Sequence, residues 1–143
     1  MTVFNIISRE AEARYFHYRS ESEEKCYVYF ICDGEYVKIG VANNIKSRMA
    51  DLQVGNAREL FLVDYIECKN RQMANAYEYT LHGFFKDYRK NGEWFDVMGN
   101  NYFCRFIQSI PHIYESVYYE LMRERKAINN PLLHYGETIR LWY

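Results

Sequence analysis

The chain has no excess of basic residues. Eighteen Lys and Arg face nineteen Asp and Glu, for a formal net charge of −1, whereas a dedicated nucleic-acid-binding module usually carries a strong basic surplus. Any contact with a polyanion therefore has to come from a local patch or be helped by a partner. CxxC is also missing. The four cysteines, Cys26, Cys32, Cys68 and Cys104, form no such pair, and no Cys/His combination has zinc-finger spacing. Cys26 and Cys32 fall on one extended segment, too far apart to bond each other, so all four are expected as reduced thiols of a cytosolic protein. No apolar run approaches the roughly 20 residues of a membrane span. A secretory leader is not expected either, because Arg9, Glu10 and Glu12 follow closely on a short start. Repeats and low-complexity segments are absent. Together these absences point to a cytoplasmic protein with no membrane partner.

What the chain does have is apolar and aromatic mass. Of its 143 residues, 49% are hydrophobic and 18% aromatic, which suits one compact domain and excludes wholesale disorder. Tyrosine alone occurs 15 times. Its apolar ring and polar tip fit half-buried surfaces, clefts and interfaces.

The pattern along the chain is mixed. Residues 3–7 are apolar and Ser8 is a candidate helix cap, with Glu10 in the first turn and Tyr15, Phe16 and Tyr18 along one side. Residues 20–25 are polar and read as a linker. Residues 26–32 (CYVYFIC) and 35–41 (EYVKIGV) are strand-like and flank Asp33-Gly34, a two-residue hairpin signal. That turn would set Cys32 against Glu35, Phe30 against Val37 and Tyr29 against Lys38. Alternation then puts Val28, Phe30, Val37, Ile39 and Val41 on one apolar face, and Tyr27, Tyr29, Tyr36 and Lys38 on the other. Asn43 or Asn44 can cap a following helix that Gly55 would stop, with Ile45, Met49 and Leu52 as its apolar stripe and Arg48 beside it. Residues 59–68 read as a third strand. Asn70 can cap a long helix to about Arg89, its core face marked by Met73, Tyr77, Leu81, Phe84 and Tyr88. Glu78 and His82, one turn apart, neighbour each other just off that face. Asn91-Gly92 turns the chain into a short strand or packed loop at residues 93–97. Residues 100–126 look helical with an interruption near Pro111, and residues 138–143 could form a last strand. The aromatic residues Tyr102, Phe103, Phe106, Tyr114, Tyr118 and Tyr119 suit a core, a dimer surface or a base-stacking platform, core first and homodimer next.

This order of elements resembles the GIY-YIG nuclease family, its phage-type branch in particular. Tyr27-Val28-Tyr29 corresponds to the first motif and Lys38-Ile39-Gly40 to the second. Residues 45–53 around Arg48 resemble the arginine helix. Ala76-Tyr77-Glu78, with Leu81-His82 and Phe84, resembles the glutamate helix, and Gly92-Glu93-Trp94-Phe95 the closing motif. Tyr27 stands where the family has glycine and Lys38 where it has tyrosine; Asn91 matches the late asparagine by spacing. The resemblance implies an α+β fold over residues 26–97, a small three-stranded and mainly antiparallel sheet flanked by helices. Residues 1–25 become an N-terminal helical extension and linker. Residues 98–143 become a helical aromatic extension, packed on the domain or forming a dimer surface.

The resemblance also implies an activity: a metal-dependent endonuclease using Mg²⁺ or Mn²⁺ on DNA, with RNA second, in a phage or mobile-element setting and hence in host cytoplasm. Glu78 would be the protein's carboxylate on the cation; as plain sequence it is a helix-surface glutamate beside His82. Arg48 would hold the scissile phosphate with its planar fork, or else pair with Asp51. Tyr29 would orient or deprotonate the attacking water with Lys38 as its neighbouring charge, or the two form an ordinary strand pair. His82 would shuttle a proton or touch phosphate, although a lone helix histidine is more often structural. Lys46 and Asn91 are candidate substrate contacts, and Asn91 and Glu93 either support the site or shape a turn. Near-neutral charge and the two altered motif positions favour a second reading. In it the fold is a catalytically inactive module that binds nucleic acid or a host protein, as inhibitor or adaptor.

Overall fold

Among residues 1–17 and 24–111, which the computed structural model describes, the elements are α1 (Val3–His17), β1 (Cys26–Cys32), β2 (Val37–Ala42), α2 (Ile45–Val54), β3 (Phe61–Cys68), α3 (Arg71–Phe84), β4 (Arg89–Asn91), β5 (Trp94–Phe95) and α4 (Asn101–Ser109), with a 3₁₀ turn at Lys86–Tyr88. The strands form one antiparallel sheet in the order β3-β1-β2-β5-β4. This is the α+β fold expected, with β5 inside the short strand or packed loop read at residues 93–97 and β4 added to it. At three residues, β4 is too short to leave a periodic signal. Residues 18–23, with most of the linker read at 20–25, the chain beyond Pro111 with Tyr114, Tyr118 and Tyr119, and the strand expected at 138–143 lie outside the described residues. No helix among the described residues is long and apolar enough to cross a membrane.

Asparagines start three of the helices. Asn44, Asn70 and Asn100 sit in extended backbone, and each side-chain oxygen accepts from the N–H three residues on, at 2.9, 2.8 and 2.8 Å, relieving a donor the helix cannot satisfy itself. Gly55 ends α2 as expected. Other boundaries are corrected. Ser8 caps nothing: α1 begins at Val3, Thr2 Oγ1 accepts from Asn5 N at 3.1 Å, and Ser8 is buried in mid-helix against the Tyr77 hydroxyl. α3 ends at Phe84, not near Arg89, and the 3₁₀ turn that follows leaves Tyr88 exposed. The third strand begins at Phe61, after the half-turn that follows α2.

The hairpin register also differs from the one expected, by two residues. Tyr29 faces Gly40, Phe30 faces Ile39, Ile31 faces Lys38 and Cys32 faces Val37. Asp33-Gly34 would need positive φ at both central positions, but only Gly34 has it, at φ 100°, and no non-glycine residue does among the described residues. Gly34 therefore takes the first central position and Glu35 the second, with Asp33 N donating to Tyr36 O at 3.1 Å. Asp33 Oδ1 locks the turn by accepting from Glu35 N and Tyr36 N at 2.9 and 2.7 Å. Side chains alternate with period two, so a slip of two keeps every residue on its face.

Those faces bury different things. Val28, Phe30, Cys32, Val37 and Ile39 point into the main core, shared with α1 through Ile7 and Ala11, α3 through Met73, Tyr77 and Leu81, and α4 through Phe103 and Phe106. The aromatic rings there interlock. Phe30 meets Phe103 and Phe106 edge-on at centroid distances of 6.0 and 5.6 Å, a favoured geometry. Of the three aromatic roles open for Phe103 and Phe106, core packing is the one observed. On the opposite face a smaller cluster joins Tyr29, Ile31, Ala42, Leu62 and Tyr65 to Ile45 and Met49 of α2.

Candidate active site at the open edge of β2

β5 covers only the start of β2, pairing Val37 with Phe95 and Lys38 with Trp94. Both backbone groups of Ile39 point to that edge. Its N–H donates to Glu93 O at 3.0 Å, while its carbonyl accepts from Nε2 of His82 on α3 at 3.0 Å. A carbonyl can only accept, so Nε2 carries the proton. The His82 ring also packs on Phe95, centroids 5.0 Å apart. α3 thus takes over where β5 stops. Glu78, one turn before His82, is carried to the same edge.

Tyr29 reaches this place from β1. Its partner Gly40 has no side chain, and the phenol fills that space, 1% exposed. A Cβ at Gly40 would come within 2.5 Å of Tyr29 Cζ and 3.0 Å of Glu93 Oε2. Glycine is needed at this position for close approach, not for its backbone freedom. Arg48, exposed on α2, lies close enough to the Tyr29 hydroxyl for its guanidinium to oppose the rise of the phenol. Lys38 Nζ pairs with Glu93 Oε2 at 3.5 Å and lies 5.7 Å from the Trp94 ring centroid.

Charge is crowded here. Burial pushes the Tyr29 phenol above its usual range; the Arg48 guanidinium pulls it down, and Glu93 and Glu78 push it up again. Burial also raises the Glu78 carboxyl, Glu93 raises it further, and His82, Lys38 and Arg71 oppose. Tyr29, Lys38, Arg48, Glu78 and His82, five residues singled out in the sequence, therefore share one electrostatic neighbourhood. The remaining two candidates differ. Lys46 is exposed two residues before Arg48, a spacing that points it to another side of the helix. Asn91 is exposed on β4 opposite Trp94.

Two residues gain importance. Glu93, open in the sequence between site support and turn formation, has its carboxylate at the centre, because the β5 register on β2 aims it over Gly40. Arg71 was not signalled by any pattern. It begins α3, hydrogen-bonds Asn43 Oδ1 after β2, and acts on Glu78. A cavity of about 440 Å³ opens elsewhere, against α1 and α3, lined by Arg14, Tyr15, Gln72, Asn75, Ala76 and Tyr79. It shares no residue with the cluster, and its lining lacks the mutually perturbed acids and cations that mark a reactive site.

A hard divalent cation fits the donor set. No group of three or more His, Cys, Asp or Glu suited to a metal occurs among the described residues, so a site built like zinc's is not supplied. Mg²⁺, however, keeps several waters and is commonly held by one or two carboxylates plus phosphate oxygens. Glu78, half-buried and pressed by the charge of Glu93, is such a carboxylate. The family profile described as the T5orf172 domain matches residues 15–110, well over half of the chain. No curated protein and no solved structure matches it.

Proposed function

The chain belongs to the T5orf172 domain family, a phage-associated domain of a nuclease-like clan, and on that premise we propose that it is a GIY-YIG-type, metal-dependent endonuclease hydrolysing phosphodiester bonds, in DNA before RNA, in host cytoplasm. The observation that carries the reading is the buried Tyr29 phenol seated against Gly40, under the influence of both the Arg48 guanidinium and the half-buried Glu78 carboxylate. It supports an anion-binding group, a water-orienting group and a cation-binding group at one edge.

A guanidinium has five N–H donors, so Arg48 can hold the Tyr29 hydroxyl and still grip two oxygens of the scissile phosphate. Negative charge growing on those oxygens is met by a charge already in place. Tyr29 orients the attacking water and, in its ionised form, takes the water's proton as the oxygen closes on phosphorus. The phosphorus–oxygen bond on the far side breaks, and the leaving oxygen is protonated from solvent. Burial keeps the phenol protonated near neutrality, so this step is favoured as pH rises. Mg²⁺ or Mn²⁺ on Glu78 would supply charge neutralisation and Lewis acidity at the phosphate. Lys38 adds positive charge to the same pocket. His82, committed through Nε2 to Ile39 O, positions α3 and hence Glu78. Lys46 and Asn91 are left for flanking phosphates.

One observation favours the second reading, a catalytically silent module for nucleic acid or a host protein: the Tyr29 phenol is pushed up by burial and by two carboxylates. A cleavage assay separates the readings. Wild type is expected to cut plasmid DNA with Mg²⁺ or Mn²⁺ and to stop with chelator, and Glu78→Ala to be inert while folded. Single-stranded DNA and RNA in parallel define the substrate. Binding without cutting under every metal condition would support the silent module instead.

A further inference from the structure

Lys38 is paired with one carboxylate and within electrostatic reach of a second. Its charge eases the ionisation of Glu78, yet its ion pair is with Glu93, Nζ to Oε2 3.5 Å. Among the described residues it makes no ion pair with Glu78. The lysine side chain is only 12% exposed, so it has few alternatives in solvent. Glu93 is held firmly. Its carbonyl takes the Ile39 N–H, Gly92 at φ 55° turns the chain just before it, and Trp94 just after it pairs with Lys38 itself. The carboxylate therefore rises from the β ladder next to the lysine it binds.

A lysine ammonium is a compact charge on a flexible stem and moves to the best acceptor in reach. With Glu93 neutralised, that acceptor would be Glu78. An ammonium on Glu78 would occupy the oxygens a hard cation needs. We infer that Glu93 is a positioning residue that holds the Lys38 ammonium off Glu78 and so keeps the Glu78 carboxylate open to a divalent cation. The inference rests on the metal-dependent reading above. It divides the work between the two acids: Glu93 takes the ammonium and Glu78 the metal.

The test is Mn²⁺ binding by titration calorimetry, without nucleic acid. Four chains are compared: wild type, Glu93→Gln, Lys38→Met and the double variant, with Lys38→Gln replacing Lys38→Met should the latter not fold. Glu93→Gln is expected to weaken Mn²⁺ binding about tenfold in the wild-type background and at most about threefold beside Lys38→Met, the signature of a residue acting through another. Glu93→Asp, which keeps the charge, should restore most of the affinity. Equal weakening in both backgrounds overturns the inference, because Glu93 would then act on the ion directly. No weakening in the wild-type background overturns it too. A Glu78→Ala control separates the deeper failure: Mn²⁺ binding that survives it, or no binding by wild type, overturns this inference, while the metal-dependent reading falls only if cleavage in the assay above needs neither Mn²⁺ nor Glu78.

Discussion

Along β1, alternate residues lead different lives. Val28, Phe30 and Cys32 enter a dry core closed by α1, α3 and α4, while Tyr27, Tyr29 and Ile31 meet a small cluster under α2 that ends in charged groups. The first face contributes apolar burial and interlocked rings. The second tolerates a phenol raised by burial, a carboxyl raised by burial and by a second carboxyl, and an exposed arginine whose charge acts on the phenol. Of these, the raised carboxyl costs stability near neutrality, where it ionises against its surroundings. One strand can thus separate an apolar core from a charged cluster by its two-residue alternation alone. The two faces meet at the edge of β2 beyond β5, where His82 of α3 binds Ile39 O. Because α3 belongs to the main core yet carries Glu78, packing on one face positions the charged groups at that edge.

Substitutions can break or sharpen this division. The largest stability effect belongs to the first face. Phe30 is fully buried and touches both Phe103 and Phe106, so Phe30→Ala should cost about 3–5 kcal/mol in denaturant unfolding, while the fraction that remains folded cuts at the wild-type rate per molecule. Gly40→Ala should blur the division. The added Cβ would strike a ring that has no room to yield, so a loss of about 1–3 kcal/mol is expected together with most of the activity; a variant that keeps both would show that Tyr29 can move freely. The smallest effect has the opposite sign. The folded state raises the Glu78 carboxyl, so it binds that proton more tightly than the unfolded chain does. Ionised Glu78 is then a cost that grows as pH rises from acid through the raised value. Glu78→Gln should therefore stabilise the fold near neutrality by about 0.5–1 kcal/mol, allowing for its partial exposure, and the gain should vanish below about pH 4, as thermal melts across pH would report.

The sequence made this division visible before the register. Asn44, Asn70 and Gly55 mark helix ends by local hydrogen bonding and backbone preference, which is why α2 and the start of α3 are legible. Alternation in β1 and β2 sorts Tyr29 and Lys38 to one face correctly. It cannot choose between Asp33-Gly34 and Gly34-Glu35 as the turn, because both preserve the faces. The choice depends on Asp33 accepting from Glu35 and Tyr36, with positive φ at Gly34 alone. Tyr29 consequently lies against Gly40 and not directly opposite Lys38. Glu93 is the harder case. Its place depends on how a two-residue strand docks on β2, a contact distant in sequence that carries no periodic signal. The tie from His82 to Ile39 O is hidden for the same reason.

On the proposed function, the second face performs the chemistry and the first holds it in place. The most direct measurement removes one oxygen atom from its centre: Tyr29→Phe, assayed for Mn²⁺-dependent DNA cleavage and for unfolding free energy in the same preparation. Cutting is expected to fall by about 10²-fold or more, while stability changes by less than about 1.5 kcal/mol. Wild-type cutting by a folded Tyr29→Phe chain would contradict that reading.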